Sequence, residues 1–238
     1  MTKSEPDMPT RLQARLKNCL NLARWTAVLG AALITVVLAA SVDVAKLQGF
    51  IARKFGQASL QNYAGWQTMM DNIRGLSTEQ KLRRVNEFFN RRVIWGQDSA
   101  VWGEADYWAT PGDTLGKGQG DCEDFAIAKY YSLLNLDVPM SKLRLVYVKA
   151  AGGNGVPGGE QQAHMVMAYY PSPDAEPLIL DNLITDIRPA SRRPDLTPVF
   201  SFNGEGIYMA GQEGKSGNVR LSRWQDLMQR AQAEGFND

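Results

Sequence analysis

Cys122 and His164 are the residues whose types and order best suit covalent catalysis. His164 is the only histidine in the sequence, and Cys122 is the only cysteine besides Cys19, which lies near the N-terminus. A thiol becomes a strong nucleophile when a base or a positive field favours its thiolate. Asp181 follows later in the chain and can orient the imidazole. The order Cys, His, Asp therefore indicates cysteine-dependent acyl transfer.

The sequence around Cys122 predicts the start of a helix over residues 121–135. Apolar residues follow at helical spacing: Ile127, Tyr130, Tyr131 and Leu134. A helix N-terminus carries partial positive charge, and the backbone N–H of Cys122 can face a developing oxyanion there. In the competing structural interpretation, the cysteine is a small core residue and the histidine supports the fold.

Two predicted strands position the base and the acid. Residues 163–170 alternate as a strand that carries His164, and residues 178–183 form a strand that carries Asp181. A turn rich in proline, over residues 171–177, joins them. The strands are therefore expected to be antiparallel neighbours, with the two side chains side by side.

The other elements predict helices followed by strands, which is typical of an α+β domain. Ser77 and Gln80 have the spacing of a capping box at a helix start, and Ser222 and Gln225 repeat it before a closing helix. Further strands are predicted over residues 143–149 and 206–210.

An aromatic segment over residues 95–111 has neither helical nor strand periodicity. It contains Trp95, Trp102, Tyr107 and Trp108. We expect an ordered loop just before the cysteine. Such a loop either packs onto the core or walls a substrate cleft, and one of its tryptophans is a candidate to help hold the oxyanion.

Asp121 and Glu123 flank the cysteine, and two negative charges disfavour its thiolate. Either Asp121 caps the helix and both carboxylates point away, or a cation neutralises them. Oxygen ligands suit a hard cation such as Ca²⁺, and Asp98, Glu104 and Asp106 are acids that can complete its shell. The residues alone favour capping by Asp121. One histidine and one cysteine in the domain are too few for a zinc site.

The N-terminal region predicts export. A basic stretch precedes an uncharged run over residues 25–42, which is typical of a signal peptide or an N-terminal membrane anchor. Residues 1–45 are therefore expected to be a targeting segment and residues 46–238 one domain in the periplasm. A buried core helix is the alternative interpretation of the run.

The overall composition indicates a globular protein without a nucleic-acid partner. The chain has 238 residues, of which 44% are hydrophobic, and it contains six tryptophans. Its formal net charge of +1 gives no strong field for anionic surfaces. No basic stripe interleaved with aromatic residues is present, so nucleic-acid binding is set aside.

Several sequence blocks resemble the bacterial transglutaminase-like cysteine proteinases. They are VWG at 101–103, DYWATP at 106–111, GDCEDFAIAKY at 120–130, AHMV at 163–166 and LDN at 180–182. The resemblance covers roughly residues 60–210. It implies a papain-like, transglutaminase-like fold, with the nucleophile helix packed on an antiparallel sheet. It also implies a catalytic triad of Cys122, His164 and Asp181.

The resemblance implies a function as well. Similar members of the family are calcium-dependent periplasmic endopeptidases that cleave a large surface adhesin near its N-terminus, at a paired-alanine site, which releases it and disperses biofilm. Asp121 and Glu123 are by this likeness Ca²⁺ ligands. The implied partner is an inner-membrane receptor with a periplasmic domain. That receptor, and not this chain, binds cyclic di-GMP.

Two other functions are compatible with the same fold. A transglutaminase-type acyl transferase uses the same triad but passes the acyl group to an amine. A non-catalytic binding module is the second alternative, and its usual signature is the loss of a triad residue. All three residues are present in this chain.

Overall fold

Helices precede an antiparallel sheet in this fold, as the sequence predicted. The computed structural model describes residues 41–151, 161–209 and 221–237. Within them the helices are α1 Val44–Phe55, α2 Leu60–Ile73, α3 Thr78–Arg92, α4 Asp98–Val101, α5 Pro111–Lys117, α6 Cys122–Leu134 and α7 Ser222–Glu234.

The strands fall into one large sheet and two small ladders. They are β1 Ser41–Val42, β2 Ile94–Trp95, β3 Gln119–Gly120, β4 Leu143–Ala151, β5 Gln161–Tyr169, β6 Leu178–Leu180, β7 Arg188–Pro189, β8 Leu196–Asn203, β9 Gly206–Met209 and β10 Phe236–Asn237.

The large sheet has the strand order β7-β6-β5-β4-β8-β9, and all its neighbours are antiparallel. Strands β4 and β5 pair along their whole length, from Leu143 opposite Tyr169 to Ala151 opposite Gln161. This pairing forms the centre of the sheet, and β6 pairs with the other side of β5. The predicted α+β class is confirmed.

The nucleophile helix α6 lies in the middle of the molecule. It packs against β4 and β5 on one side and against α3 and α5 on the other. Residues 124–134 are all buried, including Lys129, which is fully enclosed. A helix with apolar residues on every face is stable only when neighbours cover all of it. The sheet and the surrounding helices therefore hold the N-terminus of α6 in one place.

Two small ladders bring distant parts of the chain together. β1 pairs with β10, so Val42 lies opposite Phe236 and the start of the described fold is joined to its end. β2 pairs with β3 in parallel, and this places Trp95 opposite Gly120, just before the nucleophile helix. The second ladder thus attaches the aromatic segment to the site.

Two sequence-based expectations need correction, and one strand was missed. The capping box at Ser77 and Gln80 is present, but α7 begins at Ser222 and its N-cap is Leu221, without a side-chain hydrogen bond. Ser222 lies within the first turn, so it cannot cap the helix. The strand predicted over 178–183 ends at Leu180, and β8 was not predicted at all.

The predicted targeting segment over residues 1–45 falls mostly outside the described residues, as does the apolar run over 25–42 up to residue 40. Among the helices that the structure describes, none combines the length and the apolar character needed to cross a membrane. The targeting segment therefore stays a prediction.

Candidate active site

The pairing of β5 with β6 brings His164 and Asp181 together. His164 lies on β5, and Asp181 follows directly after β6, whose register places Leu180 opposite Met167. Nε2 of His164 lies 2.8 Å from Oδ1 of Asp181, and both side chains are buried. The contact that the sequence predicted between the histidine and this carboxylate is present in the structure.

The charge on Asp181 decides which nitrogen of His164 carries the proton. Burial alone raises the pKa of Asp181, but the hydrogen bond and charge of His164, with other donors, outweigh burial and lower it to about 2. An ionised carboxylate only accepts hydrogen bonds, so Nε2 of His164 is the donor. In the neutral ring, Nδ1 then keeps a free lone pair, which a general base requires.

Asp181 is also held from other directions. Oδ1 accepts from the backbone N–H of Leu183 at 3.1 Å, and Oδ2 accepts from Nη2 of Arg193 at 2.7 Å. Nδ2 of Asn90, on α3, donates to the backbone carbonyl of Asp181 at 2.8 Å. Each carboxylate oxygen has its own donors, so the group has one defined orientation.

Cys122 is the first residue of α6 and is partly buried. Its thiol donates to Oε2 of Glu123 at 2.8 Å. Burial raises the pKa of the Cys122 thiol, and the negative charges of Glu123 and Asp121 raise it further, while the backbone N–H of Met165 lowers it. In the described part of the chain, no hydrogen bond joins Cys122 to His164. In the structure His164 is therefore hydrogen-bonded to Asp181, whereas the thiol of Cys122 is hydrogen-bonded to Glu123.

Asp121 is the N-cap of α6, in agreement with the capping interpretation. Its Oδ1 accepts from the backbone N–H of Glu123 at 3.3 Å. Asp124 accepts from the backbone N–H of Asp121 at 3.3 Å, which completes a capping box. Gly120 is required here, because a Cβ at this position would overlap the carboxylate of Asp124. Capping occupies one oxygen of Asp121 and does not exclude a second role.

Two groups of possible metal ligands meet at Asp121. One contains Asp121, Cys122 and Glu123, and the other contains Asp98, Asp121 and Asp124, with ligand atoms within 4.8 Å of one another in each. Burial raises the pKa of Asp98 to about 6 and that of Asp121 to about 7. The pKa of Asp124 is raised well above its usual range, again chiefly by burial. The carboxylates of this acidic cluster therefore have too few positive charges nearby to offset their burial.

Asp98 provides a second sign of a ligand. Its Oδ2 accepts from the backbone N–H of Tyr107 at 2.6 Å, but its Oδ1 is buried and has no hydrogen-bond partner among the described residues. A buried carboxylate oxygen without a donor is unfavourable unless a cation or water completes it. Oxygen ligands alone suit a hard cation such as Ca²⁺.

The other acids of the aromatic segment do not join this cluster. Asp106 forms an ion pair with Arg223, and Glu104 is exposed and belongs to neither ligand group of the described residues. Asp124, which sequence analysis does not single out, takes their place. Its signal in the sequence is its spacing from Asp121, which is that of a capping box.

The aromatic segment packs mostly inward. Trp108 stacks on Phe202 with 5.6 Å between ring centroids, and Trp102 contacts Tyr107 with 4.8 Å between centroids. Trp95 differs, since 57% of its surface is exposed. Its position beside the strand that leads into α6 leaves an aromatic surface near the site, while the remaining rings support the core.

Comparisons with known proteins identify the family that this chain resembles. A family model described as bacterial transglutaminase-like cysteine proteinase (BTLCP) matches residues 55–194. A comparison with curated protein sequences gives no match. The match to the family model covers the aromatic segment, the nucleophile helix, the histidine strand and Arg193.

Solved structures of Legionella pneumophila LapG are similar to most of this chain. The calcium-bound form is 38% identical with a TM-score of 0.68, and the match covers 79% of this chain and 99% of that chain. A second LapG structure is 37% identical with a TM-score of 0.67, covering 81% and 99%. The EGTA-treated form is 36% identical with a TM-score of 0.69, covering 81% and 100%.

Proposed function

Because this chain belongs to the bacterial transglutaminase-like cysteine proteinases, we propose that it is a calcium-dependent periplasmic endopeptidase that cleaves a large surface adhesin. The family membership confirms the fold and the cysteine protease class that the sequence predicted. The observation that carries the proposal is the buried hydrogen bond between His164 and Asp181 beside the helix that begins at Cys122.

We assign Cys122 as the nucleophile, His164 as general base and acid, and Asp181 as the group that orients the ring. Asp181 keeps the proton on Nε2, so Nδ1 of His164 accepts the thiol proton and later returns it to the leaving amine. The sulfur attacks the scissile carbonyl, and water then hydrolyses the acyl-enzyme. The N–H of Cys122 has no partner within the first turn of α6 and is available to the oxyanion.

The hydrogen bond between Cys122 and Glu123 opposes this proton transfer. The thiol has one proton, and in the structure it points to Oε2 of Glu123. That carboxylate, together with Asp121, also disfavours the thiolate. Activation of the sulfur therefore requires that the charge on Glu123 be offset.

The acidic residues fit a calcium ion. We propose Asp98, Asp121, Glu123 and Asp124 as its protein ligands, because Asp121 belongs to both groups of possible ligands and Oδ1 of Asp98 is buried without a donor among the described residues. When bound, the ion would supply positive charge against the carboxylates that hold the thiol in its protonated form. This set includes Asp121 and Glu123, which the family resemblance implied, and Asp98, which the sequence offered as a candidate; Asp124 is the one addition.

The adhesin substrate, the site and the partner are further parts of the proposal. We infer cleavage near the adhesin N-terminus at a paired-alanine site, with release of the adhesin and biofilm dispersal. The chain would reach the periplasm by its N-terminal segment, as a cleaved or membrane-anchored protein. An inner-membrane receptor for cyclic di-GMP would sequester it through a periplasmic domain. Support comes from the family resemblance and the likeness to LapG.

The test is cleavage of a purified adhesin N-terminal fragment, with and without Ca²⁺. We expect cleavage by the wild-type protein, loss of cleavage with a chelator, and none in Cys122→Ala. Cys19→Ala is the matched control, because it removes the other cysteine and should leave cleavage unchanged. Full activity of Cys122→Ala would contradict the assignment.

The same assay distinguishes hydrolysis from acyl transfer. A labelled primary amine is added in excess during cleavage. A hydrolase releases free carboxyl termini with little label, whereas a transglutaminase-type enzyme incorporates the amine into the fragment. Substantial incorporation would replace the endopeptidase proposal with acyl transfer.

A further inference from the structure

Arg193 lies behind the His164–Asp181 pair and contacts two carboxylates. Its Nη2 donates to Oδ2 of Asp181 at 2.7 Å and to Oδ2 of Asp195 at 2.7 Å. Its Nε donates to Oδ1 of Asp195 at 3.0 Å. The side chain of Arg193 is only 1% exposed. A chain of four side chains thus runs from the imidazole through Asp181 and Arg193 to Asp195, and all of them except the partly exposed Asp195 are buried.

Charge explains why Asp181 needs such a partner. A buried carboxylate without a counter-charge is strongly unfavourable. When His164 is neutral, it gives Asp181 a hydrogen bond but no charge, and the backbone N–H of Leu183 likewise gives none. Arg193 is the cation that contacts Asp181 in the described residues whatever the protonation of the ring. It therefore keeps Asp181 charged before the thiol has given up its proton.

Geometry adds a second effect. Oδ1 of Asp181 receives His164 and Leu183, while Oδ2 receives Arg193. Rotation of the carboxylate would break a charge-assisted hydrogen bond in a place that water does not reach. The guanidinium is itself fixed, because Asp195 binds two of its nitrogens. The plane of Asp181 is set by the loop that carries Arg193 and Asp195.

We propose that Arg193 is a positioning residue of the active site, which holds Asp181 oriented and ionised toward Nε2 of His164 and is itself anchored by Asp195. This inference rests on the proposed protease function. Nothing in the sequence motif around Cys122, His164 and Asp181 points to Arg193, which comes from the loop before β8.

A purely structural tie is the competing explanation. In that case Arg193 and Asp195 only fasten the loop before β8 to the sheet. Loss of the tie would then lower stability without changing the chemistry of the ring. The two explanations therefore differ in kcat and in the state of the imidazole, and not in the melting temperature.

The experiment compares Arg193→Met, Arg193→Lys and Asp195→Asn with wild type on the adhesin fragment. We expect Arg193→Met to lower kcat by roughly 100-fold with KM little changed, since misplacement of a catalytic group by about an ångström has effects of this size. Arg193→Lys should recover part of kcat, because it keeps the charge but not the planar fork. Asp195→Asn should show a smaller loss than Arg193→Met. Arg188→Met is the matched control, because Arg188 pairs with Asp186 at the surface.

A second measurement does not depend on cleavage. His164 is the only histidine, so ring-labelled protein without a histidine tag gives one set of imidazole signals. We expect wild type and Arg188→Met to show a protected proton on Nε2, and Arg193→Met to lose that protection. If Arg193→Met does not fold, Arg193→Lys and Asp195→Asn are judged by the same two measurements.

The outcomes separate the two proposals. Folded Arg193 or Asp195 variants with the kcat and ring signals of wild type would overturn the positioning role, even if their melting temperatures fall. Altered ring signals together with a reduced kcat support it. Activity in Cys122→Ala would instead remove the protease proposal, and the ring signals would still report whether Arg193 positions Asp181.

Discussion

The two sides of the candidate active site differ in how their buried carboxylates are compensated by hydrogen-bond donors and positive charge. On the histidine side, Asp181 is buried but has His164, Leu183 and Arg193 as donors, and its pKa is lowered to about 2. On the cysteine side, Asp98 and the acids next to the nucleophile are gathered with few donors. Burial raises the pKa of Asp98 to about 6 and that of Asp121 to about 7.

This difference indicates which side of the site finds all its hydrogen-bonding and charged partners within the chain. The histidine side is paired within the chain, so its geometry needs nothing else. The cysteine side has a surplus of carboxylates and a thiol that donates to Glu123. We infer that the protein leaves this side dependent on a cation, so that Ca²⁺ controls the nucleophile but not the base.

The largest expected effect comes from Asp181→Asn, which breaks the paired side. Asp181 presents an acceptor to both His164 and Arg193, whereas an asparagine has only one acceptor oxygen. One of the two donors would then face an N–H₂ group. We expect kcat on the adhesin fragment to fall on the order of 10²- to 10⁴-fold.

Asp186→Asn is the control for that variant, since Asp186 pairs with Arg188 at the surface nearby. Calcium-induced stabilisation should be the same in wild type, Asp181→Asn and Asp186→Asn. An Asp181→Asn protein that folds and keeps wild-type kcat would show that the paired side is not catalytic.

Asp98→Asn tests the unpaired side and should have an intermediate effect. Without Ca²⁺ the variant should be more stable than wild type, by about 1 kcal/mol, because its amide can donate to the neighbouring carboxylates. With Ca²⁺ the order should reverse. A bound ion stabilises by about 2.7 kcal/mol at a hundred times its Kd, and the variant should lose most of this gain.

Thermal unfolding with Ca²⁺ and with a chelator measures both parts of this expectation. Asp106→Asn is the matched control, because Asp106 pairs with Arg223 outside the cluster. If Asp98→Asn and Asp106→Asn respond to Ca²⁺ as wild type does, Asp98 is not a ligand and the ion lies elsewhere.

The sequence was sufficient for the parts of the site that depend on local pattern. Helical spacing after Cys122 predicted α6, and alternation predicted the strand of His164. The turn between the two strands predicted the contact with Asp181. Each of these is decided by residues close together in the chain, so the pattern and the structure agree.

Other parts depend on packing between distant segments, and the sequence did not show them. Arg193 reaches Asp181 only because the loop before β8 closes over β6, and Asn90 reaches it from α3. Strand β8 was missed because proline and polar residues interrupt its apolar pattern, including Pro198. The false capping box at Ser222 shows the converse, where a local pattern is present but tertiary packing sets the helix start.

Glu234 is a buried acid that is not among the proposed calcium ligands, so it can be compared with the acids of the calcium site. Burial raises the pKa of Glu234 to about 8, and the charge of Asp113 raises it further. Thr110, which donates a hydrogen bond to the carboxylate at 2.7 Å, partly opposes this shift, as do the charges of Lys54 and Arg230. This acid should therefore respond to protons and not to Ca²⁺.

The sign of the pH effect follows from the direction of that shift. The usual pKa of a glutamate is 4.5, so the folded protein binds an extra proton between pH 4.5 and about 8. This stability is fully present below pH 4.5 and is lost as the pH rises through about 8. Lys129, whose pKa burial lowers to about 7, has the opposite slope between that pH and 10.5, so the comparison must be made between variants.

Glu234→Gln should remove the slope and have the smallest effect of the three variants. A glutamine keeps an acceptor for Thr110 and carries no charge. The melting temperature of the variant above pH 8 should therefore exceed that of wild type by about 2–4 °C, which is the shift that about 1 kcal/mol gives in a domain of this size. Glu79→Gln, at an exposed pair with Arg83, should keep the wild-type slope. If wild type, Glu234→Gln and Glu79→Gln show the same pH dependence of melting temperature, Glu234 is ionised in the folded protein. The fold would then tolerate a buried, charged glutamate at this position without a bound proton or cation.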